Sequence, residues 1–424
     1  MIETGTQTER ALLVGVIHRF QEQSEVDENL QELALLSQTA GAEVVDQVIQ
    51  SRSQIDPAYY IGKGKANEIA RLSEMLELDL VIFDDELSPA QKKNLQRLMK
   101  ETKVIDRSHL ILDIFARHAR TRESKTQVEL AQLEYILPRL TRQWTHLERQ
   151  KGGIGTRGGM GETQIEVDRR LIRRRIANLK QDLEKISRQQ ETRRKNRSDI
   201  YKVALVGYTN AGKSSLMNLV SEADVYVEDK LFATLDTTVR KIRILGDEIL
   251  LSDTVGFIDK LPHSLVASFR STLQEALEAD LILKVIDLSS PHYQHHLETV
   301  NTVLQELGIK DRRTLTIFNK IDAVDDPAVL SESLKAFPEA VPISVLRQIN
   351  MEKLEAAIAA IRRETYVTRI LELDSDQQKL LAYLHQHTQV LDVTYVETGI
   401  RVTLRARRSV LNQLKKQVRL AGED

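Results

Sequence analysis

An apolar run, Val203-Ala-Leu-Val206, leads directly into Gly207-Tyr-Thr-Asn-Ala-Gly-Lys-Ser214. No other feature constrains the chain as strongly, because a buried strand that ends in a glycine-rich turn and continues as a helix calls for an open α/β sheet. Glycine lets successive backbone N–H groups converge on an anion, and the positive end of the following helix favours phosphate there. The spacing satisfies GxxxxGK[ST]. Gly207, Tyr208, Thr209, Asn210, Ala211, Gly212, Lys213, Ser214 and Ser215 are therefore expected to enclose phosphates, with Lys213 reaching the β- and γ-phosphates and the Ser214 hydroxyl ligating Mg²⁺. A glycine-rich turn without a ligand is the weaker reading.

Two further loops stand in the order such a site requires. Asp253, Thr254, Val255 and Gly256 follow the strand-like run Ile249 to Leu251. The Asp253 carboxylate can hold the Mg²⁺ shell, usually through water, and the Gly256 N–H can contact a γ-phosphate with no side chain in the way. The run Leu315 to Phe318 then ends in Asn319, Lys320, Ile321 and Asp322. A carboxylate at Asp322 can accept from both N1–H and the exocyclic amine of guanine. Adenine lacks that donor pattern, and such a site discriminates by about 10⁴-fold or more, so GTP is the expected nucleotide. Ser344, Val345 and Leu346 stand where backbone groups would support the base. Between the first two motifs, Phe232, Ala233, Thr234, Leu235 and Asp236 read as a surface loop, with Thr234 as the expected further Mg²⁺ ligand once a γ-phosphate is bound. Thr237 and Thr238 are its rivals, and a plain polar loop is the alternative.

Hydrolysis needs an oriented water. Phe257 follows Gly256 where Ras-type switches carry a glutamine, and a phenyl ring neither donates to nor accepts from water. Turnover by the unaided protein should be slow, with help from an ion, another loop or a partner. Lys213, Thr234, Gly256 and Asn210 are the candidate catalytic residues, Asn210 as a holder of K⁺ beside the phosphates; an asparagine that only satisfies the turn is an equal reading. His263, His292, His295 and His296 invite a transition-metal site. In the absence of any cysteine or carboxylate partner, a partly exposed crossover helix is expected instead.

Strand-like runs at Ala11 to Ile17, Ala42 to Ile49, Leu78 to Phe83 and Lys103 to Ile105 alternate with helical patterns. Residues 1–120 should thus form a small α/β domain on a largely parallel sheet. Gly62 and Gly64 read as a turn at a helix start rather than a phosphate site. Leu133, Ile136, Leu140, Trp144 and Leu147, then Ile172, Ile176, Leu179, Leu183 and Ile186, fall at helical spacing and predict two antiparallel helices over 121–198. Six of the chain's 18 glycines crowd into 152–161 and form the expected tip. From Arg169 to Arg197, 12 Lys or Arg stand against three acidic residues in a chain of net charge −2, an imbalance that favours RNA or another polyanion over a merely solvated face. Residues 199–366 form the expected GTPase domain on a mostly parallel sheet. Residues 367–424 form a small α+β domain, with a helix around Gln377 to His387, strands Leu391 to Val396 and Ile400 to Ala406, and a closing helix around Val410 to Arg419.

Composition excludes more than it assigns. With 41% hydrophobic and 29% charged residues the chain is not disordered throughout, and zero cysteines rule out a disulfide scaffold, a thiolate zinc site and a cysteine nucleophile. No run reaches the roughly 18 uncharged apolar residues of a membrane span, and the apolar stretch near the start is too short for a signal peptide. A soluble, cytoplasmic, monomeric protein is expected.

These motifs together resemble a known family. GYTNAGKS, LFATLD, DTVGF and NKID, preceded by GGIGTRGGMGETQIEVDRR and a basic helix, look like the HflX branch of the Obg-like translation GTPases, over most of the chain. The family's switch reads TLDPTTR; here it is Thr234-Leu-Asp-Thr-Thr-Val-Arg240, with Thr237 in place of proline, and Ser344-Val345 stands where Ser-Ala is commoner. The resemblance implies binding to the large ribosomal subunit and its ribosomal RNA, stimulated GTP hydrolysis there, and dissociation of stalled or idle ribosomes. Some members also hydrolyse ATP, which would fall to the N-terminal region. Two other readings stay open: an assembly or storage GTPase that binds the large subunit without splitting ribosomes, and an RNA-remodelling ATPase.

Overall fold

The computed structural model describes residues 8–19, 21–140, 164–195, 200–221, 232, 236–260, 274–309, 312–374, 377–396, 399–407, 411 and 419–420. Trp144, Leu147, the glycine-rich tip at 152–161, Ala233, Thr234, Leu235, His263 and most of the expected closing helix lie outside the described residues.

Strand β1 (Glu9–Ile17) is apolar on both faces, as a strand covered on two sides must be. Ala11 and Leu13 enter one core with Leu30, Leu33 and Leu36 of α1 (Gln23–Thr39), while Leu12, Val14 and Val16 enter another with Ile61 and Ile69. β2 (Ala42–Ser51), β3 (Leu80–Phe83) and β4 (Lys103–Asp106) complete a sheet in the order β2-β1-β3-β4, with every pairing parallel. Crossover helices α2 (Lys63–Met75) and α3 (Pro89–Leu98) return the chain. α2 begins at Gly62, and Ser88 and Gln91 close a capping box on α3. α4 (Arg107–His118) is capped by Asp106, which accepts from His109 N at 2.9 Å.

α5 (Arg122–Ile136) and α6 (Gln164–Lys195) pack side by side. The seam read from periodicity is present on α6: Ile172, Ile176, Leu183 and Ile186 are half-buried and Leu179 is 3% exposed, while Arg173 and Arg174 are exposed and Arg175 reaches across to Glu129 of α5. α5 is shorter than its periodicity suggested. Pro138 turns the chain into one 3₁₀ turn, Leu137–Arg139, and leaves Leu140 off the helix.

The third unit is a six-stranded sheet in the order β10-β9-β8-β5-β7-β6. Its strands are β5 (Tyr201–Gly207), β6 (Thr238–Ile244), β7 (Asp247–Asp253), β8 (Leu281–Asp287), β9 (Arg313–Asn319) and β10 (Val341–Pro342). Only β6 on β7 is antiparallel. Val203 and Leu205 pack with Leu216 and Met217 of α7 (Lys213–Val220) and with Leu354 and Ile358 of the helix Met351–Thr365. Ala204 and Val206 face the other way, into a cluster continuous with the N-terminal core through Phe115, Phe232 and Phe257. The fourth unit is an antiparallel sheet, β12-β13-β11-β14, built from β11 (Tyr366–Leu373), β12 (Gln389–Val396), β13 (Gly399–Arg407) and β14 (Arg419–Leu420) beside the helix Gln378–His387. β11 was not anticipated, and Arg419 is in a strand rather than at the end of a helix. Among the described residues no helix is long and apolar enough to cross a membrane.

Leu179→Ala should loosen the helical pair, a buried leucine truncation costing about 2–5 kcal/mol. The expected result is faster amide exchange along α6 with unchanged exchange in β5. Equal exchange in both proteins would show that the seam does not hold the pair.

Candidate nucleotide site

β5 lies beside β7 and, across β8, shares its direction with β9, so the loops that follow these three parallel strands leave from one edge of the sheet. In the phosphate loop Asn210 (φ 58°) and Gly212 (φ 92°) are both left-handed and bend the chain back toward α7. A Cβ on Gly212 would lie 2.3 Å from Asn319 Nδ2, so only glycine fits. The Asn319 amide explains this closeness. Its Nδ2 donates to Ala211 O at 2.9 Å and its Oδ1 accepts from Val345 N at 3.1 Å, which staples the phosphate loop to the loop expected to support the base. Ser344 is buried and its Oγ accepts from Arg347 N at 3.0 Å, whereas Leu346 stands in solvent. Lys320 is left-handed and pairs with Asp287 at 2.7 Å, placing Asp322 on an exposed 3₁₀ turn, Ile321–Ala323.

Lys213 is 6% exposed, and its Nζ donates to Gly207 O at 3.1 Å and to Tyr208 O at 2.7 Å. Burial pulls its pKa down to about 8, with Asp253 opposing. Ser214 Oγ donates to Asp253 Oδ2 at 2.6 Å, and Thr254 Oγ1 to Leu205 O at 2.7 Å. Ser214 and Asp253 are hard oxygen donors of the kind Mg²⁺ takes. A Cβ on Gly256 would come within 2.8 Å of Thr209, so the loop after β7 can lie against the phosphate loop only as glycine. Phe257 N donates to Gly207 O at 3.0 Å, and Phe257 O accepts from Thr209 N at 2.8 Å. The Phe257 ring is 4% exposed and belongs to the core, so it takes no part in holding water.

The segment expected to close over the nucleotide directs its described side chains elsewhere. Phe232 is buried edge-on against Phe115 of α4, with centroids 4.6 Å apart. The Asp236 carboxylate accepts from Arg120 N at 3.0 Å, Thr121 N at 3.2 Å and Thr121 Oγ1 at 2.6 Å. Any contact these two residues make to a nucleotide is left to their backbone. Thr238 is not in a loop: it opens β6, opposite Asp253 in register.

Sequence reasoning missed what surrounds Tyr208. Its hydroxyl donates to Glu32 of α1 and accepts from Asp259 N at 3.0 Å, and its ring stacks on His296 at 4.0 Å. Burial pushes Glu32 up to about 7, against the lowering effect of Arg107. Arg107 pairs with Glu32 and, at 2.7 Å, with Asp84; Lys260 pairs with Asp84 and, at 2.6 Å, with Asp85. His295 bonds Asp259 at 2.7 Å, which raises it to about 9, while burial lowers His296 to about 4. His292 meets Glu28 at 2.8 Å. The expected partly exposed crossover helix, Tyr293–Glu306, is present, but the histidines do have carboxylate partners: they dock the helix and its start on α1 and the loop after β7, which corrects the expectation that they have none. Each such partner is far away in sequence, so no local pattern could have disclosed the pairs.

Phosphates arriving at Lys213 should raise its pKa again. Nucleotide binding should therefore take up a proton near pH 8, and affinity should fall as pH rises through about 8. Calorimetry in two buffers of different ionisation enthalpy reads this directly; equal heats would overturn it.

Comparison with known proteins accounts for this arrangement. Residues 27–116 match the family described as GTP-binding GTPase N-terminal, 118–197 the GTP-binding GTPase Middle Region, and 202–320 the 50S ribosome-binding GTPase. GTPase HflX of Flavobacterium psychrophilum is 52% identical over 315 residues, 74% of this chain and 76% of that one. GTPase HflX of Magnetococcus marinus is 44% identical over 425 residues, covering 100% of this chain and 98% of the relative. A solved GTP-binding protein from the hyperthermophilic archaeon Sulfolobus solfataricus, in complex with GDP, is 26% identical with a TM-score of 0.44, covering 83% of this chain and 98% of that one. Identity sustained along the full length of a relative, on top of three consecutive family regions, settles the assignment: the chain belongs to the HflX family of GTPases and is an enzyme that hydrolyses GTP.

Proposed function

We propose that this GTPase binds the large ribosomal subunit through its ribosomal RNA when GTP is bound, dissociates or rescues ribosomes there, and leaves after hydrolysis. The observation that carries this reading is the outward face of α6, where Arg173 and Arg174 are exposed on a helix whose opposite face is committed to α5. A cationic ridge of this kind suits phosphate backbones. In the same reading residues 121–198 form the RNA-engaging part, 199–366 the GTPase part, and 1–120 and 367–424 pack around them.

At the site, Lys213 and the backbone of residues 207–215 hold the phosphates, Asp322 reads guanine, and Ser344 to Leu346 support the base. Ser214, Asp253 and Thr234 are the proposed Mg²⁺ ligands, and the bound ion would offset developing charge on the phosphates. Because the Phe257 ring is sequestered, water must be oriented by something else. Asn210, left-handed with an exposed side chain, is the proposed K⁺ holder. A turnover rate that is identical in Na⁺ and K⁺ removes that ion from the proposal.

Truncation is a poor test, since the N-terminal unit shares a core with the GTPase sheet. Charge reversal in the full chain avoids that difficulty. Arg173→Glu with Arg174→Glu should lower cosedimentation with purified large subunits about tenfold or more and flatten its salt dependence, leaving unstimulated GTP turnover intact. Unchanged capture would remove α6 as the RNA surface. Light scattering of assembled ribosomes separates the remaining readings. Capture without increased dissociation, with GTP or an analogue, points to assembly or storage. Duplex unwinding on ATP that survives Asp322→Asn points to an RNA-remodelling ATPase.

A further inference from the structure

We propose that Asp236 is a positioning residue that relays nucleotide state to the basic hairpin, by gripping the first turn of α5. α5 is capped by Thr121, whose hydroxyl accepts from Ser124 N at 3.2 Å and donates to Asp236 Oδ1 at 2.6 Å. The other Asp236 oxygen takes the N–H groups of Arg120 and Thr121 at 3.0 and 3.2 Å. One carboxylate thus meets three donors at the positive end of a 15-residue helix, an arrangement that favours negative charge and charge-assisted hydrogen bonding. The same α5 carries α6: Glu129 and Glu134 pair with Arg175 at 2.7 Å and Lys180 at 2.8 Å, and Leu179 is buried in the seam.

The other side of Asp236 is tied just as closely to the nucleotide site. Two residues on, Thr238 opens β6 opposite Asp253, whose carboxylate holds the Ser214 hydroxyl. Two residues back stands Thr234, the proposed Mg²⁺ ligand, and four back Phe232 is buried on Phe115. The chain on either side of Thr234 is therefore anchored on α4 and α5. Thr238 lies only two residues from Asp236, a link of at most about 7 Å, so a shift of the start of β6 against Asp253 loads the Asp236 contact. Any change there displaces the first turn of α5, and with it the helix that α5 supports. The inference rests on the reading of 232–238 as a nucleotide-sensing segment.

Amide exchange of the full-length protein with GDP and with a non-hydrolysable GTP analogue tests it. Exchange at 120–125 should differ between the two by about tenfold or more, and the difference should vanish in Thr121→Val and in Asp236→Asn. Thr121→Ser, which keeps the hydroxyl, should restore it. Thr121→Val should retain GDP affinity, since Thr121 lies outside the site. A nucleotide difference at 120–125 that persists in both uncoupled variants overturns the proposal. If exchange at Gly256 and Phe257 responds to nucleotide while 120–125 does not, the relay fails but the switch reading stands. If neither segment responds, both fall. Ribosome cosedimentation of the same proteins is a separate readout, so loss of capture with an intact exchange response indicts the ribosome reading alone.

Discussion

Arg107 is 1% exposed, and carboxylates from two segments close around its guanidinium. Burial alone would disfavour its charge, yet Glu32 and Asp84 overcome that penalty and leave its pKa raised. Those two carboxylates carry the connection onward, Glu32 to Tyr208 in the phosphate loop and Asp84 to Lys260 after β7. Removing one member of such a buried set strands the others in a medium that solvates charge poorly, a loss of about 3–5 kcal/mol for a buried pair. The N-terminal sheet and the GTPase sheet are therefore held by charge and by a common apolar cluster at once, and the ionic part reaches Tyr208 of the 207–214 loop and Lys260 after β7.

The nucleotide site depends on one amide in a comparable way. Asn319 sits at the end of β9 but spends both polar atoms on backbone groups of other loops. Loops that would otherwise be independent, one expected to enclose phosphates and one expected to support a base, acquire a fixed spacing. The loop after β7 is positioned by backbone hydrogen bonds between Phe257 and the phosphate loop. Using that residue as an apolar anchor is incompatible with using it to orient water, which is the physical reason to expect weak turnover without help.

Charge in this chain is a matter of placement. A net charge of −2 conceals a helix whose outer face is cationic and a junction where Glu28, Glu32, Asp84, Asp85 and Asp259 gather on Arg107, Lys260 and histidines. The first is exposed and suited to a polyanion; the second is enclosed and serves to hold units together. Asp236 lies outside both: it meets Arg120 and Thr121 at the start of the hairpin, two residues before β6 opens opposite Asp253.

Several elements were legible in the amino-acid order because their determinants are local. The strand, glycine turn and helix from Val203 to Val220 are adjacent in sequence, and the seam of α6 repeats with the helical period. β6 was missed because TVRKIRI is mostly polar and lies at a sheet edge, and α5 was overextended because spacing alone outweighed Pro138. Tertiary structure alone could decide that Tyr208 meets Glu32 across 176 positions, that Asp236 meets Thr121 across 115, and that the histidines of 292–296 dock on carboxylates. Periodicity and turn chemistry report only on neighbours along the chain. Which distant charge finds which is settled when burial removes water and makes every unpaired carboxylate or cation costly.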